Sequence, residues 1–121
     1  LLLKSNRDAS RCLELRIESG MKRLSLVNLP MDVDPFWRES CTNVGTPKNP
    51  GPDGIRVCEK PFLFKEGEVI DVKVVMDKDM VEIFIGERAA FTYRVYEKTE
   101  YEIGFMAQDG KVEFFDIEVV K

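Results

Sequence analysis

The chain is predicted to be an all-β, antiparallel β-sandwich of about nine strands with no substantial helix, and three observations lead there. Apolar residues alternate with polar ones through Ile70, Val72, Val74 and Met76, and again through Val81, Ile83 and Ile85. Short polar breaks separate such runs, at Asp77-Lys78-Asp79 and at Gly86-Glu87, as hairpin turns require. Helical periodicity is nearly absent: even in the best helical candidate, residues 7–15, Leu13 and Leu15 continue into Ile17 at a spacing of two.

The elements follow in order. Residues 1–4 already read as strand, and 11–18 and 21–29 form a hairpin whose turn, Ser19-Gly20, uses the freedom of Gly20 to take a positive φ. Between residues 30 and 54 lie five of the six prolines and three glycines. Proline fixes φ and removes a ladder donor, so this stretch cannot be a central strand; a loop of this length is commonly functional. Strands resume at 55–59, 62–64, 70–76, 80–85, 89–96, 101–107 and 112–120, with Lys65-Glu66-Gly67-Glu68 as one turn and Asp109-Gly110 as a short hairpin signal. Sheet-on-sheet packing is the stable way to bury so many half-apolar strands.

With 121 residues the chain is expected to be a single domain over 1–121, large enough to bury a core without staples. A net charge of −4 argues against a nucleic-acid partner, which calls for a basic surface. No apolar run approaches the roughly 20 residues that span a bilayer, so no membrane partner is expected. Cys12, Cys41 and Cys58 are odd in number and widely spaced, with no Cys-x-x-Cys pair. They read as three unpaired thiols, which leans toward a reducing, cytoplasmic setting.

Chemistry is sparse. The absence of histidine removes Ser-His-Asp and Cys-His catalysis and every histidine-based metal site from this chain. No glycine-rich phosphate loop is present, and Asp77-Lys78-Asp79 lacks the glycine and distal glutamate of a calcium loop, so neither cofactor nor metal is expected. Acids are plentiful, but spacing singles out no pair of the kind a glycosidase needs, so no catalytic residue is assigned. Glu82 alternates outward on a strand, where an acid is the default. Trp37, beside Arg38 and Glu39 in the long loop, and Tyr93 beside Arg94 are the candidate sugar contacts, because a flat ring with a polar edge stacks on a sugar face. The plainer reading of Trp37 is a loop anchor covering one end of the core.

The residues Met76-Asp77-Lys78-Asp79-Met80-Val81-Glu82-Ile83-Phe84-Ile85-Gly86, followed by Thr92-Tyr93-Arg94-Val95-Tyr96, resemble a recurring phrase of the C-terminal β-sandwich module of glycoside hydrolase family 32, the invertases, levanases and inulinases. The closing strands, Glu102 to Ala107 and Val112 to Val119, are similar to that module's as well. Asp79 and Met80 depart from the small hydroxyl residues usual there, and the proline-rich loop also departs. The resemblance implies a concanavalin-like, jelly-roll sandwich in which Asp77, Val81, Glu82 and Phe84 are structural. It also implies that catalysis resides in a propeller domain of the same parent polypeptide, so that this chain is expected to be a C-terminal fragment of a larger hydrolase. Val33-Asp34-Pro35 and Cys58-Glu59 look like that propeller's motifs but match neither their order nor their context.

Three roles are therefore expected of such a module. The first is a non-catalytic domain that packs on the propeller of a fructan- or sucrose-cleaving enzyme and contributes to a homodimer. The second is an autonomous carbohydrate-binding module for terminal fructosides, since a related levan-binding module shares the sandwich. The third is a free-standing glycosidase of lectin-like fold, which the lack of a singled-out acid pair disfavours.

Overall fold

A computed structural model of the chain describes residues 1–29, 55–95, 98 and 100–121. The proline-rich stretch, with Trp37, Arg38, Glu39 and Cys41, lies outside the described residues. Among the described residues the chain forms eight strands: β1 (Leu2–Ser5), β2 (Cys12–Glu18), β3 (Arg23–Leu29), β4 (Ile55–Pro61), β5 (Val72–Asp77), β6 (Met80–Ile85), β7 (Ala89–Arg94) and β8 (Glu102–Gly104). They make a five-stranded sheet in the order β4-β3-β2-β1-β8 and a three-stranded sheet in the order β5-β6-β7, with antiparallel pairing throughout.

The pleat sends alternate side chains to opposite faces, and the register lines up like with like. On the larger sheet Leu3 faces Leu13 and Leu15 faces Leu26, while on the smaller one Ile83 lies between Val74 and Phe91. Leu3, Leu13, Leu15, Leu24 and Leu26 meet Val81, Ile83, Ile85, Phe91 and Val95 in one buried cluster, with Phe62 completing it. Each such side chain contributes on the order of 1.5–3 kcal/mol when removed from water, so this layer is what holds the two sheets together.

One polar tie crosses the same interface. Lys4 on β1 is fully buried, and its Nζ donates to the carbonyl of Lys78, in the β5–β6 turn, and to that of Lys98 at 3.0 Å. The ammonium also lies 4.7 Å from the Tyr101 ring centroid. Lys98, itself buried, donates to Asn28 Oδ1 on β3. Lys4 has a left-handed backbone (φ 47) and falls where the β1–β8 register shifts. Burial pushes its ammonium below the usual lysine range, and Asp79 and Glu100 oppose that shift.

The outer face of the larger sheet carries an ion ladder. Glu18 on β2 accepts from Arg23 Nε at 2.8 Å, from Ser25 Oγ at 2.7 Å and from Arg56 Nη2 at 3.0 Å, so it links β2, β3 and β4. The Arg23 guanidinium, helped by Ser25 and Arg56, holds the Glu18 carboxyl down at about 2.

Several local expectations are corrected. In the β2–β3 turn the left-handed residue is Lys22 (φ 53), not Gly20; the loop spans residues 19–22, with Met21 N–H bonding Glu18 O and Lys22 N–H bonding Ser19 O. Residues 62–64 form no strand: Phe62 turns into the core and packs on Phe64 with ring centroids 4.8 Å apart. The strand expected over 101–107 shortens to Glu102–Gly104, and 112–120 is not in a sheet. There Asp109 (φ 55) and Asp116 (φ 52) take left-handed backbones that interrupt an extended ladder. Phe105 and Phe114 still meet across the Asp109-Gly110 bend, with centroids 4.8 Å apart.

Replacing Lys4 by Met is expected to lower stability by about 1–2 kcal/mol in urea unfolding, because the buried Lys98 carbonyl loses its donor while the part-buried Lys78 carbonyl keeps only the longer bond from the Tyr101 hydroxyl. Glu18 is ionised well below its unfolded pKa, so its contribution is present above 4.5 and is lost as pH falls from 4.5 through about 2. The stability gap between the native chain and Glu18→Gln is therefore expected to be on the order of 1 kcal/mol at neutral pH, the partners being partly screened by water, and to close across that acid window.

Candidate functional site

The residues singled out by sequence separate once the strands are formed. Tyr93 and Arg94 are neighbours on β7 and therefore point to opposite faces of the smaller sheet. Tyr93, opposite Val81, is half-buried and packs against the core cluster. Arg94, opposite Met80, is exposed, and its Nη1 donates to Asp79 Oδ2 at 3.2 Å. Tyr93 and Arg94 cannot line one surface together. Trp37, Arg38 and Glu39 fall outside the described residues.

The phrase from Asp77 to Phe84 divides by the same alternation. Val81 is buried at 1% exposure in the core, while Glu82 and Phe84 point outward on β6. Glu82 lies between Val75 and Thr92, and Phe84 between Lys73 and Ala90. Asp77 closes β5 opposite Met80, and Lys78 supplies the left-handed residue (φ 53) of the two-residue turn. Among the described residues no group of three or more acids and thiols is arranged to hold a metal ion. Cys12 and Cys58 are free thiols, and burial, with the neighbouring Glu14 adding to it, pushes the Cys12 thiol up.

A cleft that sequence spacing did not single out lies where the β6–β7 turn meets residues 68–71. It is shallow and open to solvent, with a cavity volume of about 90 Å³. Phe62, Ile70 and Ile85 supply an apolar floor and Val69 an apolar rim, while Glu68, Asp71 and Arg88 supply charge. Arg88 is held on three sides: its guanidinium lies over the Phe62 ring at 3.8 Å, Nη1 donates to Glu68 Oε1, and Nη2 donates to the Leu63 carbonyl. Glu68 Oε2 accepts the Lys65 N–H at 2.9 Å, and that bond, with Arg88 beside it, holds the Glu68 carboxyl below the usual range. The Gly86 N–H donates to the Asp71 carbonyl at 2.7 Å and ties the two walls together. Glu68 and Arg88 are 20 residues apart, and what hinted at their meeting was the pair of glycine turns beside them, Gly67 and Gly86, both left-handed in the structure.

Chemically, this surface offers fixed hydrogen-bond donors and acceptors around a small apolar floor. A family model described as glycosyl hydrolases family 32 C terminal matches residues 40–121. No curated protein and no solved structure matches the chain.

If the shared phrase builds the sandwich, its inward and outward residues must differ in cost. Val81→Ala is expected to destabilise by about 1–3 kcal/mol, and Glu82→Ala to stay within about 0.5 kcal/mol, in parallel urea titrations.

Proposed function

Because the chain belongs to the glycosyl hydrolase family 32 C-terminal family, we propose that it serves as the non-catalytic β-sandwich of an enzyme that cleaves fructans or sucrose, packed against the catalytic propeller of the same polypeptide and holding it in shape. The observation that carries this reading is the use made of the family phrase: Val81, Ile83 and Ile85 close the core of the sandwich, as residues with a structural task do.

A second feature supports docking. Large apolar side chains stay exposed along residues 101–120, among them Tyr101, Phe105, Phe114, Phe115, Ile117 and Val119. Apolar side chains left exposed in such number suit contact with another domain.

The test uses the full parent polypeptide. Phe115→Asp together with Ile117→Asp, both at exposed positions, is expected to shorten the half-life of hydrolase activity on heating several-fold while leaving the initial rate on sucrose or inulin unchanged. Unchanged thermal inactivation in that variant would overturn the docking role.

A further inference from the structure

We propose that the free edge of β5 is a self-pairing surface, along which a second copy of this chain docks antiparallel, with Lys73 of each copy opposite Asp77 of the other. The two three-stranded sheets then continue as one. The proposal rests on the geometry of the β5–β6 hairpin and not on the hydrolase reading above.

The edge is open. β5 is an outer strand of the order β5-β6-β7, and among the described residues no strand lies on its other side. Val72 and Val75 on it are 38% and 41% exposed. The tight turn decides which main-chain groups face outward. Asp77 and Met80 flank the two-residue turn Lys78-Asp79 and bond each other, so Val75 and Lys73 also bond toward β6. The Asp71 carbonyl keeps that phase, accepting the Gly86 N–H at the end of β6. The N–H and C=O groups of Val72, Val74 and Met76 therefore point away from β6, as a row of donors and acceptors on the open edge.

Charge then selects the partner and the register. Two copies related by a two-fold axis pair their residues reciprocally. The charged side chains of β5 are Lys73 and Asp77, which share the outer face of the sheet with Val75 between them. With Val75 on the axis, Val75 meets its own copy and Lys73 meets Asp77 twice. In the same register Val74 lies opposite Met76, and these two exchange the outward main-chain bonds. Val75, Lys73 and Asp77 then form the closer, non-hydrogen-bonded pairs, with Cα atoms about 4.5 Å apart, where opposite charges attract and like charges repel most.

Other registers lose this match. Centring the axis on Lys73 or on Asp77 sets like charges face to face. Centring it on Val74 brings Asp77 against Asp71, and centring it on Met76 carries Lys73 past the end of the strand. Other outer strands are poorer edges: β8 spans three residues, β4 ends on Pro61, and β7 carries the single charge of Arg94.

The test is sedimentation equilibrium of the 121-residue chain at concentrations from about 10 μM to about 1 mM. A monomer–dimer equilibrium with a Kd on the order of 100 μM is expected, since one strand edge buries less than a standard interface. Lys73→Glu and Asp77→Lys, both at exposed positions, are each expected to weaken it at least about tenfold. An equimolar mixture of the two variants is expected to regain the native affinity, because each altered charge then meets its opposite in the other chain. The proposal is overturned by a monomer throughout the range or by a mixture no tighter than the single variants. Self-association that neither variant weakens would also overturn it and assign the contact to the exposed stretch 101–120. No outcome depends on the activity or thermal inactivation of the parent enzyme, so this proposal and the docking role fail separately.

Discussion

The structure depends on one strip of side chains: Val81, Ile83 and Ile85 on the central strand of the smaller sheet, pressed against the leucines of β1, β2 and β3. Because β6 is flanked on both sides, its backbone groups are satisfied within the sheet and its inward face is free to be wholly apolar. The cost of wetting that strip fixes the register of β5 and β7, since a slip of one residue would turn it to solvent. It also divides the family phrase in two: Val81, Ile83 and Ile85 are committed to the core by the pleat, while Asp77, Met80, Glu82 and Phe84 share the outer face of the smaller sheet.

Against this non-directional layer the Lys4 tie is directional. A leucine can slide over its neighbours, but an ammonium bonded to the carbonyls of residues 78 and 98 permits one relative placement of β1 and the β5–β6 turn. Much of what such a group gains in hydrogen bonds is offset by taking its charge out of water, so its chief effect is specificity, while its removal still costs stability because it leaves its partners unpaired. Tyr101, over the same ammonium, brings the start of β8 to that point.

The strands from 72 to 94 were legible because two local signals, period-two spacing and polar turns, agree with the tertiary arrangement there. What was not legible needed partners distant in sequence. Residues 1–4 read as strand, but nothing local shows that Lys4 is buried, which it is because the carbonyls of residues 78 and 98 receive it. Gly20 was the natural choice for the left-handed turn position, but loop length and not residue type decides which position must take it, and Lys22 takes it. Residues 112–120 keep strand-like alternation, yet a left-handed Asp116 within them shows that pattern alone does not supply a neighbour. Of the proposed sugar contacts, Tyr93 and Arg94 were joined by adjacency in sequence, which in a strand places them apart. The Glu68–Arg88 pair was hidden for the opposite reason: its members are 20 residues apart and meet beside the turns at Gly67 and Gly86.

The exposed stretch from residue 105 onward has a thermodynamic consequence. The heat capacity of unfolding and the slope against denaturant both grow with the surface that unfolding newly wets. Phe115, Ile117 and Val120 are already wet in the folded chain, so they lengthen the polypeptide without adding much to either quantity. The stability curve of the isolated domain is accordingly flatter in temperature and less responsive to urea than its length suggests. Covering that stretch with another surface would sharpen both responses at once, so calorimetry registers its burial even where no new secondary structure forms.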